Sequence, residues 1–218
     1  MKPKALIFDM DGVLTDNLEL HEAAWLDFAQ KIGVKTEKED IRKTIFGRRN
    51  KEIMDSVFGR HLVSLEIEKL IAQKEKVYMN LAKGRLKPLS GLLDFLTAAK
   101  TRNIPMAVAT SSEKEVLIFT LNELGLNEFF PKVRLSANDV KEGKPSPEIF
   151  QICAIRLGYE AEDCLVFEDS IPGIRAARSS GATVAVPLTT LNDEEAKKEN
   201  PDLIFKNFSD KKIHELVF

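Results

Sequence analysis

The chain has 218 residues, of which 44% are hydrophobic and 30% are charged. No apolar run approaches the roughly 18 residues that a membrane-spanning helix needs, so the composition excludes both a membrane protein and a disordered chain. The 32 basic and 34 acidic residues nearly balance, and we therefore expect neither nucleic acid nor a membrane as partner.

The length and the two cysteines indicate how the chain is organised and which kinds of site it lacks. A chain of 218 residues is longer than one typical domain, which favours a single core with a large insertion. Cys153 and Cys164 form no C-x-x-C pair and lie near no histidine cluster, so neither a disulfide framework nor a zinc site is expected. The apolar stretch before Asp9 is too short for a secretory signal. We expect a cytoplasmic protein that is a monomer or a weak oligomer.

Apolar runs and helical patterns alternate along most of the chain. Apolar runs typical of strands buried on both faces of a parallel sheet occupy residues 5–8, 106–109, 165–167 and 183–186. Helical patterns occupy residues 91–100, 113–124, 146–157 and 171–180. A glycine that suits a left-handed turn follows each of the last three helices, at Gly125, Gly158 and Gly181. This order predicts an α/β fold with a doubly wound parallel sheet.

Residues 16–85 separate the first two predicted strands and read as helix. One helical face carries Leu18, His21, Trp25, Phe28 and Ile32, and a second carries Ile67, Leu70, Ile71, Lys74, Tyr78 and Leu81. We predict that these residues form a helical cap domain, inserted into a core of residues 1–15 and 86–218. Such a cap would cover the strand ends, where α/β sheets bind ligands.

The motif DMDGVLTD, residues 9–16, begins where the first predicted strand ends. Gly12 allows the chain to turn there, so Asp9 and Asp11 can take different roles, one as nucleophile and the other handling protons. An ionised carboxylate attacks phosphorus without a general base, but an anionic substrate repels it. A hard cation such as Mg²⁺ resolves that repulsion. The alternative is an acidic loop that only caps the strand.

A second acidic pair follows the third predicted strand. Glu168 and Asp169 lie between an apolar run and a helix that begins near Ile171. Adjacent acids at another strand end would complete the ligand shell of a divalent ion shared with Asp9. The alternative is that Asp169 only caps the helix.

Hydroxyl groups and an isolated lysine lie between the two acidic motifs in the chain. Thr110, Ser111 and Ser112 come after the second strand and before a helix, where hydroxyls and backbone N–H groups bind anions. Lys144 stands between a glycine and a proline, and a fixed ammonium there could neutralise the nucleophile and the transferring group. A plain helix cap and an ordinary surface lysine are the alternatives.

In these four motifs the chain resembles the haloacid dehalogenase (HAD) superfamily of phosphohydrolases, over nearly its whole length. The resemblance implies a Rossmann-like core with the cap inserted between the first two motifs. It implies Asp9 as nucleophile and Asp11 as general acid and base, supported by Thr110 and Lys144. It also implies Mg²⁺ held by Asp9, the Asp11 carbonyl and Asp169, with Glu168 as ligand or close support.

Within the superfamily the chain looks most like the β-phosphoglucomutase-like branch and its sugar phosphatase relatives. That likeness lies in His21, Trp25 and Gly47, and it implies that these residues contact the substrate. A lysine in an apolar stripe costs burial energy unless it snorkels or meets an anion, so Lys74 either faces the substrate or reaches solvent. His21 either faces the substrate or is a hydrogen-bonded core residue. The mutases place Ser and Arg at the second and third positions after the glycine, where this chain has Arg49 and Asn50. Arg49 could still clamp an anionic group, or it could be a solvated residue at a helix start.

This departure favours a phosphatase of small phosphorylated metabolites over a mutase, and the resemblance to this branch implies that those metabolites are sugar phosphates. A β-phosphoglucomutase is the first alternative. A 2-haloacid dehalogenase is disfavoured because attack on carbon needs no Mg²⁺, and a non-catalytic binding module is disfavoured because every catalytic position is filled.

Overall fold

The computed structural model describes residues 2–45, 47–58 and 64–218. Within them the chain forms a six-stranded parallel sheet with the strand order β3-β2-β1-β4-β5-β6. The strands are β1 (Ala5–Phe8), β2 (Met106–Ala109), β3 (Val133–Leu135), β4 (Cys164–Phe167), β5 (Thr183–Pro187) and β6 (Leu203–Phe205). The predicted α/β fold with a doubly wound parallel sheet is confirmed.

Helices flank the sheet on both faces and fill the long connection between β1 and β2. That connection holds α1 (Leu18–Lys31), α2 (Lys38–Ile45), α3 (Asn50–Phe58) and α4 (Ser64–Ala82). The remaining α-helices are α5 (Leu92–Thr101), α6 (Lys114–Glu123), α7 (Glu148–Leu157), α8 (Ile171–Ser180), α9 (Asp193–Lys198) and α10 (Lys211–Val217). In the described part of the chain, no helix combines the length and the apolar character needed to cross a bilayer.

The four predicted strands are the four central strands of the sheet, and each predicted helix lies within a few residues of an observed one. The two edge strands, β3 and β6, were not predicted. Each has only three residues, and Arg134 interrupts the apolar pattern of β3. An edge strand pairs on one side alone, so it needs a weaker apolar signal than a central strand.

Side chains of β1 alternate between two apolar layers. Leu6 and Phe8 pack in the layer that contains α5, α6 and α10, whereas Ala5 and Ile7 pack in the layer that contains α7 and α8. The Phe8 ring stacks on Phe167 of the neighbouring strand, with 4.5 Å between ring centroids. Because both faces of β1 are buried, the strand is rigid, and the residue that follows it has a fixed position.

Helices α1–α4, called the cap helices below, have an apolar cluster of their own, formed by Trp25, Phe28, Ile41, Ile45, Ile53 and Met54. The two chain segments that join the cap helices to the sheet run side by side. Thr15 pairs with Pro88 in an antiparallel bridge, and the Leu89 N–H donates to the Leu14 carbonyl at 3.1 Å. The division into a cap domain of residues 16–85 and a separate core stays a prediction.

Candidate active site

Asp9 follows β1 directly and meets a buried lysine from a distant loop. The Lys144 Nζ atom lies 2.7 Å from Asp9 Oδ1, 3.0 Å from Glu168 Oε2 and 3.2 Å from the Ala109 carbonyl. Lys144 is 3% exposed and Glu168 is fully buried. Burial alone would lower the pKa of Lys144, but the charges and hydrogen bonds of Asp9 and Glu168 outweigh it and raise that pKa above its ordinary value. Lys144 is therefore a permanent cation behind Asp9.

Three buried carboxylates converge beside this lysine. Asp9, Glu168 and Asp169 each offer an oxygen atom within 4.8 Å of the others. Burial and the charge of Glu168 raise the pKa of Asp9 well above its ordinary value, and Lys144 only partly opposes them. The same two causes raise the pKa of Asp169 to about 8. Because one ammonium cannot neutralise three carboxylates, the cluster fits a hard divalent cation that takes oxygen ligands.

Two glycines bring the backbone against these acids. A Cβ atom added at Gly12 would lie 1.8 Å from Asp169 Oδ2, and one added at Gly173 would lie 2.0 Å from the Glu168 carboxyl carbon. Gly12 also has a φ of +79°, which side chains of L-residues rarely adopt. Thr190 Oγ1 also donates a hydrogen bond to Asp169 Oδ2. The acids of the cluster are thus held by backbone contact as well as by charge.

Asp11 lies at the same edge of the sheet with a separate set of partners. Its Oδ1 atom accepts a hydrogen bond from Asn17 at 2.6 Å and lies 3.2 Å from His21 Nε2, and its Oδ2 atom accepts one from Ser112 Oγ at 2.7 Å. Burial alone would raise the pKa of Asp11, but the charge and hydrogen bond of His21 and the bonds from Asn17 and Ser112 lower it below its ordinary range. Asp9 and Asp11 therefore have pKa values shifted in opposite directions.

The three hydroxyl residues after β2 face different partners. The Thr110 N–H donates to the Leu135 carbonyl, and Thr110 Oγ1 accepts from the Ser112 N–H at 3.0 Å. Ser111 Oγ donates to the Gly47 carbonyl of the cap segment at 3.1 Å. A Cβ atom added at Gly47 would lie 2.3 Å from Ser170 Oγ. The segment between α2 and α3 therefore contacts the loop after β2, at Ser111, and the loop after β4, at Ser170.

A cavity of about 70 Å³ lies between this edge of the sheet and the cap helices. From the sheet edge it is lined by Asp9, Asp11, Gly12, Thr110, Ser111, Ser112, Asp169, Ser170 and Thr190. From the cap side it is lined by Asn17, Leu18, His21, Trp25, Ile45, Gly47, Arg48, Asn50, Ile53 and Lys74. Lys144 and Glu168 lie behind Asp9 and do not line it.

Arg49 is the predicted substrate residue that the structure places elsewhere. Its Nε atom donates to Glu52 Oε1 at 2.8 Å, and its Nη1 atom donates to the Lys141 carbonyl at 3.0 Å. Arg48 lines the cavity instead. Arg48 and Arg49 belong to a short non-helical segment before α3, and the sequence alone does not fix which of the two arginines faces the cavity.

Lys74 is 1% exposed and lies at the cap side of the cavity. Its Nζ atom lies 5.0 Å from the centre of the Trp25 ring, 3.5 Å from His21 Nδ1 and 3.3 Å from Glu75 Oε1. The predicted residues His21, Trp25 and Lys74 are thus adjacent in the structure, with Glu75 behind them.

Sequence reasoning missed two residues that position Asp11 and His21. Asn17 Nδ2 donates both to Asp11 and to the Tyr78 hydroxyl, each at 2.6 Å. The Tyr78 ring stacks on His21 with 3.9 Å between centroids. Both residues are fully or almost fully buried. Tyr78 stood on the predicted apolar stripe and Asn17 next to the acidic motif, but only the fold brings them together.

The chain is similar to known proteins over most of its length. A family model described as a haloacid dehalogenase-like hydrolase matches residues 3–181. The chain is 34% identical over 178 residues to the fructose-1-phosphate phosphatase YqaB of Escherichia coli, covering 81% of this chain and 92% of that protein. It is 32% identical to the β-phosphoglucomutase of Bacillus subtilis, covering 82% of this chain and 80% of that one.

A solved structure extends the likeness to the whole fold. The crystal structure of a HAD hydrolase, family IA, variant 3, from Entamoeba histolytica superposes with a TM-score of 0.89 at 27% identity. The match covers 100% of this chain and 98% of that one, so cap helices and sheet are included together.

Proposed function

The chain belongs to the haloacid dehalogenase-like hydrolase family and is an enzyme, and from this premise we propose that it is a phosphatase of small phosphorylated carbohydrates. The observation that carries the proposal is the separation of two carboxylates at one cavity. Asp9 is held by a buried cation beside two further acids, and Asp11 is held apart by Ser112 and Asn17. A nucleophile and a proton carrier need that separation. The name of the E. coli relative supports the carbohydrate class.

The mechanism that we propose has two transfers. Asp9 attacks phosphorus in line and forms an aspartyl phosphate while the ester P–O bond breaks. The pKa of Asp11 is lowered in the free enzyme, but the anionic phosphate of a bound substrate would raise it, so that Asp11 carries the proton that it gives to the departing alcohol oxygen. Asp11 then takes a proton from a water molecule, which attacks phosphorus and releases inorganic phosphate and free Asp9. The hydrogen bonds from Ser112 and Asn17 hold Asp11 at a fixed orientation in both steps.

Charge on the phosphoryl group is balanced by cations and hydrogen-bond donors at the sheet edge. We propose that Asp9, the Asp11 carbonyl and Asp169 hold Mg²⁺, with Glu168 in support. Mg²⁺, when bound, would neutralise the acidic cluster and withdraw charge from the phosphoryl oxygens. Lys144 keeps Asp9 oriented, and the Thr110 hydroxyl lies on the wall where the phosphoryl group would sit.

In this proposal the cap helices bind the carbohydrate part of the substrate, which leaves as the alcohol. Residues 16–85 act as the cap domain, and His21, Trp25 and Lys74 contact the carbohydrate, with Gly47, Ser111 and Ser112 closing the cavity. Arg49 takes a different role from the one expected, because it joins the cap segment to the Lys141 carbonyl.

Phosphate release tests the proposal directly. The purified chain with Mg²⁺ is assayed against fructose 1-phosphate, other sugar phosphates, phosphoglycolate, nucleotides and pyrophosphate. We expect a sugar monophosphate to be preferred by at least about tenfold, a factor that corresponds to about 1.4 kcal/mol. Absence of phosphate release from every compound, with Mg²⁺ present and the chain folded, contradicts a phosphatase.

A β-phosphoglucomutase is the second candidate, favoured by the relative from Bacillus subtilis. A mutase transfers the phosphoryl group to a sugar hydroxyl instead of water. Formation of glucose 6-phosphate from β-glucose 1-phosphate with a bisphosphate primer, faster than phosphate release, would replace the first proposal by the second.

A further inference from the structure

Two adjacent residues of α4 form a buried ion pair at the cap side of the cavity. Lys74 lines the cavity, whereas Glu75 lies behind it and is 3% exposed. The Lys74 Nζ atom lies 3.3 Å from Glu75 Oε1 and 3.4 Å from Oε2, so it engages both oxygens of the carboxylate. Because both side chains are buried, the negative charge of Glu75 largely cancels the electrostatic attraction that Lys74 would exert on an anionic ligand in the cavity.

Glu75 also engages a second residue of the cavity wall. Asn50, the first residue of α3, donates a hydrogen bond from Nδ2 to Glu75 Oε1 at 2.6 Å. Asn50 is 5% exposed and lines the cavity. The carboxylate therefore takes up one of the two N–H donors of the Asn50 amide, which a ligand at this end of the cavity would otherwise use. One buried acid thus removes both net positive charge and hydrogen-bond donors from the cap side.

The other basic groups on the cap side do not supply the positive charge that Glu75 cancels. His21 Nε2 lies 3.2 Å from Asp11 Oδ1 and serves that carboxylate. Arg48 lines the cavity but is exposed, so water and salt screen its charge. A second phosphate group carries about −1.5 to −2 charges and needs charge-assisted donors when it is taken out of water.

We propose that Glu75 is a specificity-determining residue that restricts the enzyme to monophosphates whose far end is an uncharged, hydroxyl-bearing chain, and that it excludes bisphosphates. The proposal rests on the proposed phosphatase function and deepens it. The Lys74–Glu75 pair presents a nearly neutral, polar wall to sugar hydroxyls. If a neutral side chain replaced Glu75, the Lys74 ammonium would lose its carboxylate partner, and a second phosphate of the ligand could take that place.

Binding, rather than turnover, isolates this effect. Asp9→Asn removes the nucleophile, and the affinities of this variant for fructose 1-phosphate and fructose 1,6-bisphosphate are measured by calorimetry with Mg²⁺. The two compounds differ only in the second phosphate. We expect the monophosphate to bind at least about tenfold more tightly, and we expect Glu75→Gln in the same background to reduce that preference by about tenfold or more.

Glu68→Gln is the matched control, because it removes the same charge from an exposed position of the same helix and should leave the preference unchanged. A folded Glu75→Gln variant with an unaltered preference overturns the proposal. Equal affinity of the Asp9→Asn variant for both compounds overturns it too, and that readout does not depend on whether the Glu75 variant folds. Failure to bind either compound overturns the sugar-phosphate class and this inference together, whereas tight but unselective binding overturns only the inference.

Discussion

Lys144 and Asp9 are 135 residues apart in the chain, yet their side chains meet at 2.7 Å, with the ammonium also bonded to Glu168. The contact joins the loop before α7 to the ends of β1 and β4. Lys144 is the cation that allows buried acids to stand next to one another before any metal binds.

Lys144→Met should therefore damage both stability and activity. It leaves buried carboxylates without their cation, and breaking a buried pair in this way costs about 3–5 kcal/mol of unfolding free energy. We expect the rate of phosphate release to fall by about 10²-fold or more, since charge on the phosphoryl group loses a stabilising neighbour. Urea unfolding and initial rates measure the two effects. Lys132 is an exposed lysine outside the cap helices, and Lys132→Met should change neither quantity. Equal effects of the two substitutions would contradict the role of Lys144 as the cation of the acidic cluster.

The acidic cluster predicts how stability depends on pH when metal is removed. The pKa of Asp169 is raised from 3.8 to about 8, so the folded chain keeps a proton that the unfolded chain releases. In EDTA, stability should fall as pH rises from about 4 to about 8, because there the folded state binds more protons. Mg²⁺ binds the ionised carboxylates, so its stabilising effect should grow over the same interval. Melting temperatures at several pH values, with EDTA or Mg²⁺, test this; a stability that rises with pH in EDTA would contradict it.

Substitution of Asp9 and substitution of Asp11 should have different effects on catalysis. Asp9→Asn should abolish phosphate release and leave no isotope from labelled substrate on the protein. Asp11→Asn should slow turnover by about 10²- to 10⁴-fold, the usual contribution of general acid–base catalysis. Peptide mapping of acid-quenched protein locates the label in the wild-type chain. Turnover of Asp9→Asn at the wild-type rate, or a label on another residue, would refute the mechanism.

Gly12→Ala should weaken metal binding by about 10- to 100-fold, as disturbance of groups that orient metal ligands commonly does. The new methyl group would overlap Asp169, which cannot retreat without losing its place in the cluster. Gly84→Ala is the matched control, because Gly84 also has a positive φ but nothing lies within 4 Å of its added Cβ atom. Both variants should lose about 1–2 kcal/mol from backbone strain. Only Gly12→Ala should raise the Mg²⁺ concentration needed for half-maximal activity, and an equal rise in both would argue against the overlap.

Much of the sheet edge could be predicted from local sequence, and much of the cap side could not. Asp9 and the pair of Glu168 and Asp169 each follow an apolar run, and parallel strands bring their carboxyl ends to one edge. The orientation of Arg49 depends on the path of the short non-helical segment before α3. The bond from Asn17 to Tyr78 joins residues that are 61 positions apart, and no periodicity encodes such a pairing.

The paired segments at Thr15 and Pro88 have a consequence for how such an enzyme can diversify. The polypeptide leaves the sheet and returns to it at neighbouring points, so the intervening helices form a detour that no β-ladder depends on. Replacement or resizing of that detour would leave the order of the strands and the acids at their tips undisturbed. New preferences for the departing alcohol can therefore arise while the apparatus that cleaves the ester bond stays the same.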